Sequence, residues 1–338
     1  MSVYLVIFAG VLLMAVIGTP LSRALGLRMN AVDQPDPTRK VHRIATPRLG
    51  GVAIFLSTLI ATLLLGGRYK LDQLASILVG ATLVSFLGLM DDRFTLSAGV
   101  KLIGQLLAVG LLLVTGVQVS AFPTQALNIA VTTIWMVGIT NAMNLLDNMD
   151  GLSGGIAAIA AGHFALMCAF SGQYLVGALS VAVMAACIGF LIYNWNPATI
   201  FMGDSGSLFL GFTLGAIGIK LRFPSNVDFV TWMIPVLVLG VPIFDTTLVT
   251  ISRLRRRLNP LTTPGKDHTS HRLTHPGLNR REAVLILYII SFILGMAALF
   301  ITQASVLESY LIGLAVLIAG LYALWSMEHR PFWPPPTE

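Results

Sequence analysis

Charge is what this sequence has least of: 11% of its 338 residues are Asp, Glu, Lys or Arg, against roughly 25% in an ordinary soluble domain. With 56% of residues hydrophobic, a water-soluble globule is excluded. Cysteine is nearly absent. Cys168 and Cys187 both fall inside apolar runs, where a thiol packs as a small hydrophobe, so neither a disulfide framework nor a zinc site is indicated. The sequence shows no internal repeat, soluble domain or long linker, and nucleic acid is not an expected partner.

Apolar runs recur from end to end, most of them long enough to cross a hydrocarbon core of about 30 Å as a helix rising 1.5 Å per residue. The spacing predicts an all-α integral membrane protein, one transmembrane domain over 1–338. Its ten or eleven helices fall near 3–20, 49–66, 74–90, 99–118, 126–141, 152–170, 174–193, 205–219, 231–251, 283–303 and 307–326. The third and eighth are short and are expected to be tilted, re-entrant or buried among neighbours. The first run lacks a basic leader and a small-residue cleavage site, so it reads as a retained helix. With eleven spans, 17 of the 21 Lys and Arg fall on one face. The positive-inside rule makes that face cytoplasmic, with the N-terminus outside and the C-terminus inside. Its loops are 21–48, 91–98, 142–151, 194–204 and 252–282.

A carboxylate near lipid is costly unless it is paired or put to use. Asp91 and Asp92 close the third span; Asn141, Asn144, Asp147 and Asp150 follow the fifth; Asp204 precedes the eighth. All emerge on the face that the Lys and Arg count makes cytoplasmic. Each has a bland reading: a helix cap for the Asp pair, a hydrogen-bonded seam for the Asn-Asp stripe, an N-cap for Asp204. Yet paired carboxylates in a seam repel unless a cation compensates them. Hard oxygen ligands of this kind suit Mg²⁺, which bridges one or two carboxylates to substrate phosphates, and Mn²⁺ is a plausible substitute.

The opposite charge lies nearby. Lys266, His268, His271 and Arg272 form a donor set suited to a pyrophosphate, with Asp267 placed to orient an imidazole. RKVHRIATPRLGG at 39–51 holds Lys40, and Lys101 opens the fourth span. The Arg253–Arg257 run reads as topological charge, His163 as packing and Asp245 as structural. Cations facing a metal-ready acidic set are the pattern of phosphoryl transfer.

DDR at 91–93, NAMNLLDNMDGLSGG at 141–155, FMGDSGSL at 201–208 and DHTSHRL at 267–273, with RKVHRIATPRLGG and the LSAGVKLIGQ stretch, resemble the polyprenyl-phosphate N-acetylhexosamine-1-phosphate transferase family, glycosyltransferase family 4. The likeness runs from about residue 33 to 273 and lies closer to the bacterial GlcNAc-1-phosphate transferases than to the phospho-MurNAc-pentapeptide translocases. Many relatives carry His where this chain has Ser270.

The resemblance implies transfer of GlcNAc 1-phosphate from UDP-GlcNAc to undecaprenyl or another polyprenyl phosphate at the cytoplasmic side of a bacterial membrane, with release of UMP and initiation of a cell-envelope glycan. It implies Asp204 as the Mg²⁺ ligand, with Asp150 and Asn144 beside it. Asp91 and Asp92 would engage the acceptor phosphate, Asp91 as the favoured base. Since a phosphate monoester has a second pKa near 6, little help from a base is needed. Asn141, Asn144, Asp147, Asp150 and Asn194 would wall the donor pocket. Lys40, Lys101, Lys266, His268, His271 and Arg272 would meet the phosphates. Membrane lipids and a second copy in a homodimer are further expected partners. The rivals are the translocase reaction, a proton-coupled transporter and a non-catalytic lipid-binding protein; clustering at one interface, away from the midplane, speaks against the transporter.

Overall fold

The computed structural model describes residues 2–33, 45–66, 72–224, 226–260, 263, 265–275 and 277–329. Lys40 lies outside them. The described chain is all-helical apart from one small ladder: thirteen helices, α1 (Ser2–Arg28), α2 (Gly50–Gly66), α3 (Asp72–Phe94), α4 (Ala98–Val114), α5 (Gln125–Leu146), α6 (Leu152–Ser171), α7 (Tyr174–Asn194), α8 (Asp204–Lys220), α9 (Asp228–Val238), α10 (Gly240–Arg255), α11 (Thr269–Thr274), α12 (Arg280–Ile301) and α13 (Val306–His329). Side chains with the right chemistry start several of them. Ser97 and Thr124 accept from backbone N–H groups at the openings of α4 and α5, and Asn279 with Glu282 closes a capping box on α12.

Seven helices (α1, α3, α5, α6, α7, α12 and α13) are long and apolar enough to cross a membrane, and α9 with α10 would make an eighth, bent by 76° at Leu239. The sequence predicts ten or eleven. The difference lies in length and burial. α2 and α4 are apolar but short, and α8 has 17 residues, about 25 Å at 1.5 Å per residue, less than the hydrocarbon thickness. α8 is buried along nearly its whole length and packs on α2, α3, α5, α6, α7 and α9. A helix sheathed by protein need not match the bilayer.

The start of α8 is fixed by backbone contacts. Val32–Asp33 pairs antiparallel with Thr46–Pro47, and Arg48 closes an ion pair with Asp33. Phe201 N–H then donates to Pro47 O (2.8 Å), while Gly50 and Gly51 N–H donate to Phe201 O (2.9 Å) and Met202 O (2.8 Å). Gly203 follows at φ +73°, a conformation that suits glycine. On the other flank α3 presents Gly88, where an added Cβ would lie 2.3 Å from the Asp204 carbonyl oxygen. Gly88→Ala is therefore expected to cost about 1–3 kcal/mol through backbone displacement. Gly110→Ala, whose Cβ meets nothing within 4 Å, should leave the melting temperature at or above the parent's. Thermal melts of the two variants in detergent check this.

Candidate active site

Three helix ends and one turn meet around Asp204. Asp92, in the last turn of α3, accepts the N–H groups of Asp204 (3.1 Å) and Ser205 (3.3 Å), so it caps α8 with a carboxylate where backbone donors are unpaired and the helix dipole is positive. Asp91 accepts Leu96 N–H (2.6 Å) and Lys101 Nζ (2.6 Å). Lys101 also lies 3.6 Å from Asp204 Oδ2 and so bridges the two carboxylates. From α5, Asn144 Nδ2 donates to Ser207 Oγ (2.9 Å) on the first turn of α8. Asn141, one turn earlier on α5, exchanges hydrogen bonds with Gln105 of α4 (2.7 and 3.2 Å).

Asp147 caps the end of α5 and opens the five-residue turn to α6. Its carboxyl is pushed up to about 8 by burial and then by the charges of Asp204, Asp92 and Asp150. Asp204 is pushed up to about 7 by burial and by the neighbouring Asp91 and Asp92 carboxyls. Carboxylates that resist ionising together form a donor set that a divalent cation would relieve. Among the described residues no three His, Cys, Asp or Glu side chains converge enough to enclose a metal by themselves. Mg²⁺ does not require that, because substrate phosphates and water complete its shell. The oxygens of Asp204, with Asn144 and Asp147 near it, fit such an ion.

The remaining expected residues have other engagements. Asp150 accepts from Asn196 Nδ2 (2.8 Å) and Ala198 N–H (3.1 Å). Asn194 braces the turn, accepting Gly151 N–H and donating to Ile200 O, both at 2.9 Å. Arg272 donates to Asp267 O, Met327 O and Ser252 Oγ and pairs with Glu328 (2.7 Å). With its side chain 8% exposed, it holds α11 to the end of α13.

Two expectations in the 252–282 loop are corrected. Asp267 does not orient an imidazole: it is gripped bidentately by Arg253 (2.9 Å twice) and again by Arg256 (2.7 Å). Two of the arginines read as topological charge therefore hold this loop together. The imidazole is oriented by Asp245 of α10, which accepts His268 Nδ1 (2.8 Å) and Thr269 N–H (2.6 Å). Asp245 is buried inside an apolar helix, which is itself a signal of a working carboxylate. His163 packs as expected, edge-on to Phe292.

Beside this loop lies a cavity of about 710 Å³ lined by Lys266, His271, His275, Arg280 and Arg281 with Asn196, Met149, Thr274, Leu278 and Asn279. Asn196 also holds Asp150, so the cationic cavity adjoins the carboxylate-bearing turn. His271 is held down at about 4 by burial and by His268, Arg280 and Lys266, and is neutral at pH 7. Ser270 donates to Asn148 Oδ1 (2.5 Å) and ties α11 to that turn. Arg280, Arg281 and His275 also line it without a motif to mark them: Arg280 and Arg281 open α12, where basic residues are common on topological grounds alone, and His275 follows the end of α11.

Residues 74–222, which carry every carboxylate of the Asp204 cluster, match the sequence model of glycosyl transferase family 4. A Bacillus subtilis (strain 168) protein named "Probable undecaprenyl-phosphate N-acetylglucosaminyl 1-phosphate transferase" is 38% identical over 335 residues, 95% of this chain and 92% of its own. The chain belongs to glycosyl transferase family 4. Other relatives include a Mycolicibacterium smegmatis decaprenyl-phosphate N-acetylglucosaminephosphotransferase, 33% identical over 79% of this chain and 74% of its own. A phospho-N-acetylmuramoyl-pentapeptide-transferase of a Geobacillus species (strain WCH70) is 30% identical over 68% and 78% respectively.

Proposed function

We propose that this protein transfers GlcNAc 1-phosphate from UDP-GlcNAc to a polyprenyl phosphate at the cytoplasmic face of a bacterial membrane and releases UMP. One observation carries the reading: Lys101 bridges Asp91 and Asp204 at the start of a buried helix, and a cationic cavity large enough for a nucleotide sugar adjoins the turn that carries Asp147 and Asp150. The names borne by the Bacillus and Mycolicibacterium relatives support the same reaction.

In this reading an oxygen of the acceptor phosphate attacks the β-phosphorus of the donor. The bond from that phosphorus to the bridging oxygen breaks, and the electron pair leaves with UMP. Lys101 neutralises charge between Asp91, Asp204 and the incoming phosphate. Asp91, already fastened to Lys101 and Leu96, orients the acceptor. Asp92 acts through the backbone by fixing the start of α8. Lys266, Arg280 and Arg281 hold the donor's anionic part, and neutral His271 offers hydrogen bonds there. A Mg²⁺ ion held by Asp204, with Asn144 and Asp147 beside it, would supply charge neutralisation on the diphosphate.

The orientation proposed from the Lys and Arg distribution has the N-terminus outside, the C-terminus in the cytoplasm, and α2, α4 and α8 completing ten or eleven crossings; a homodimer is part of the same proposal. The test is purified protein with radiolabelled UDP-GlcNAc, undecaprenyl phosphate and Mg²⁺. Label should appear in lipid, vanish with EDTA and return with excess Mg²⁺ or Mn²⁺. Transfer indifferent to EDTA would sink the metal assignment. Because of the Geobacillus relative, UDP-MurNAc-pentapeptide and UDP-GalNAc belong in the same panel; preference for the pentapeptide donor would replace GlcNAc in the proposal.

A further inference from the structure

The turn that carries Asp147 and Asp150 is held from outside. α5 ends at Leu146 and α6 begins at Leu152, so both carboxylates sit on a five-residue connection with little regular structure of its own. Gly151 closes it at φ +78°. Gly151 is reached by two side chains distant in sequence: its N–H is taken by Asn194 of α7, and its carbonyl, which also accepts Gly155 N–H (2.9 Å) in the first turn of α6, by the Tyr288 hydroxyl of α12 at 2.5 Å.

α12 reaches the same turn a second way. Arg281 Nε donates to Asn196 O (2.9 Å), and Asn196 Nδ2 donates to Asp150 (2.8 Å). Tyr288 follows Arg281 by two helical turns, so both project from one face of α12. The phenol fits because residue 155 has no side chain; a Cβ there would lie 1.8 Å from the Tyr288 hydroxyl oxygen. Trp195 packs on its other side, with ring centroids 6.2 Å apart.

We infer that Tyr288 is a positioning residue for the reaction, acting through the Gly151 carbonyl to hold the Asp147–Gly151 turn against the donor cavity. The inference rests on the transferase reading for its kinetic consequence. It goes beyond that reading in giving α12, which carries none of the carboxylate motifs, a part in placing them. Without the hydroxyl, the Gly151 carbonyl loses its side-chain donor. The turn that carries Asp147 and Asp150 then keeps its link to α12 only through Arg281 and Asn196.

Two variants of the full chain test this by separate routes. Tyr288→Phe removes one oxygen and keeps the ring, and Gly155→Ala displaces the hydroxyl sterically. The measurements are kcat and KM for UDP-GlcNAc and for undecaprenyl phosphate, with hydrogen exchange across residues 147–152. We expect kcat/KM for the donor to fall about tenfold in Tyr288→Phe, acceptor KM to stay at the parent value, and exchange to quicken in 147–152 alone. Should Gly155→Ala fail to fold, Tyr288→Phe decides alone. Donor kinetics within twofold of the parent despite faster exchange would assign the hydroxyl to stability only and overturn the inference; unchanged exchange would overturn it too. If the parent transfers no label, the transferase reading falls, and exchange still decides whether Tyr288 orders the turn.

Discussion

Asp204→Asn is expected to leave a folded protein whose transfer rate has dropped by about three orders of magnitude, the scale seen when one group aimed at developing charge is removed. The size of the effect follows from where the side chain sits. Asp204 opens α8, lies 3.6 Å from Lys101 and belongs to the carboxylate group that an ion on the donor diphosphate would neutralise. Asn keeps the shape and takes away the charge. Folding should not suffer, since the backbone N–H of residue 204 is still capped by Asp92, and one fewer carboxylate eases the repulsion that pushes Asp147 up. Initial rates at saturating Mg²⁺, read beside a melting curve, check both halves. Transfer within tenfold of the parent would take Asp204 out of the mechanism.

The largest stability effect is expected at Asp267. Asp267 and Arg253 are both buried, with side chains 2% and 4% exposed. Asp267→Ala would leave the Arg253 guanidinium without its counter-charge, a change that costs about 3–5 kcal/mol when the abandoned ion stays buried. Arg255 makes the contrast. It pairs with Glu328 at 3.2 Å but is 51% exposed, and Arg255→Ala should shift stability by no more than about 1 kcal/mol. The pH dependence has a definite sign. Burial pushes the Asp267 carboxyl up, but Arg253 and Arg256 outweigh it and hold it down to about 2, below the unfolded value near 3.9. Its contribution is thus complete above about pH 4 and lost as pH falls toward 2. The gap in melting temperature between parent and Asp267→Ala should narrow over that interval; a gap independent of pH there would mean the ion pair is not its source.

How much of this was legible beforehand varies with the physics involved. Apolar runs and lopsided charge announce a polytopic helical membrane protein, because hydrophobic length is a local property of the chain. They say less about helices sheathed by other helices, which is why α8 looks like a span yet is short and enclosed, and why one predicted span near 231–251 is broken at Leu239. In the site, the motifs lead to Asp91, Asp92, Lys101, Asn144 and Asp204, which the fold brings together by direct contacts. Asp92 was expected to meet a phosphate, and its backbone bonds to α8 were not visible from spacing. Partner choice in the loop after α10 is not legible in the sequence. Asp267 is adjacent in sequence to His268, yet Asp245, 23 residues away, holds that imidazole. Tertiary placement decides such pairings, and nothing in the local pattern encodes it.

The contact at Gly88 has a consequence for life in lipid. α3 is a 23-residue span, free to lean when the hydrocarbon layer thins or thickens. Because its backbone butts directly against the carbonyl of Asp204 with no side chain between, a lean of α3 carries the head of α8 along with it. Asp91, Asp92 and Asp204 then travel as one piece, and their mutual spacing is insulated from the composition of the membrane around them.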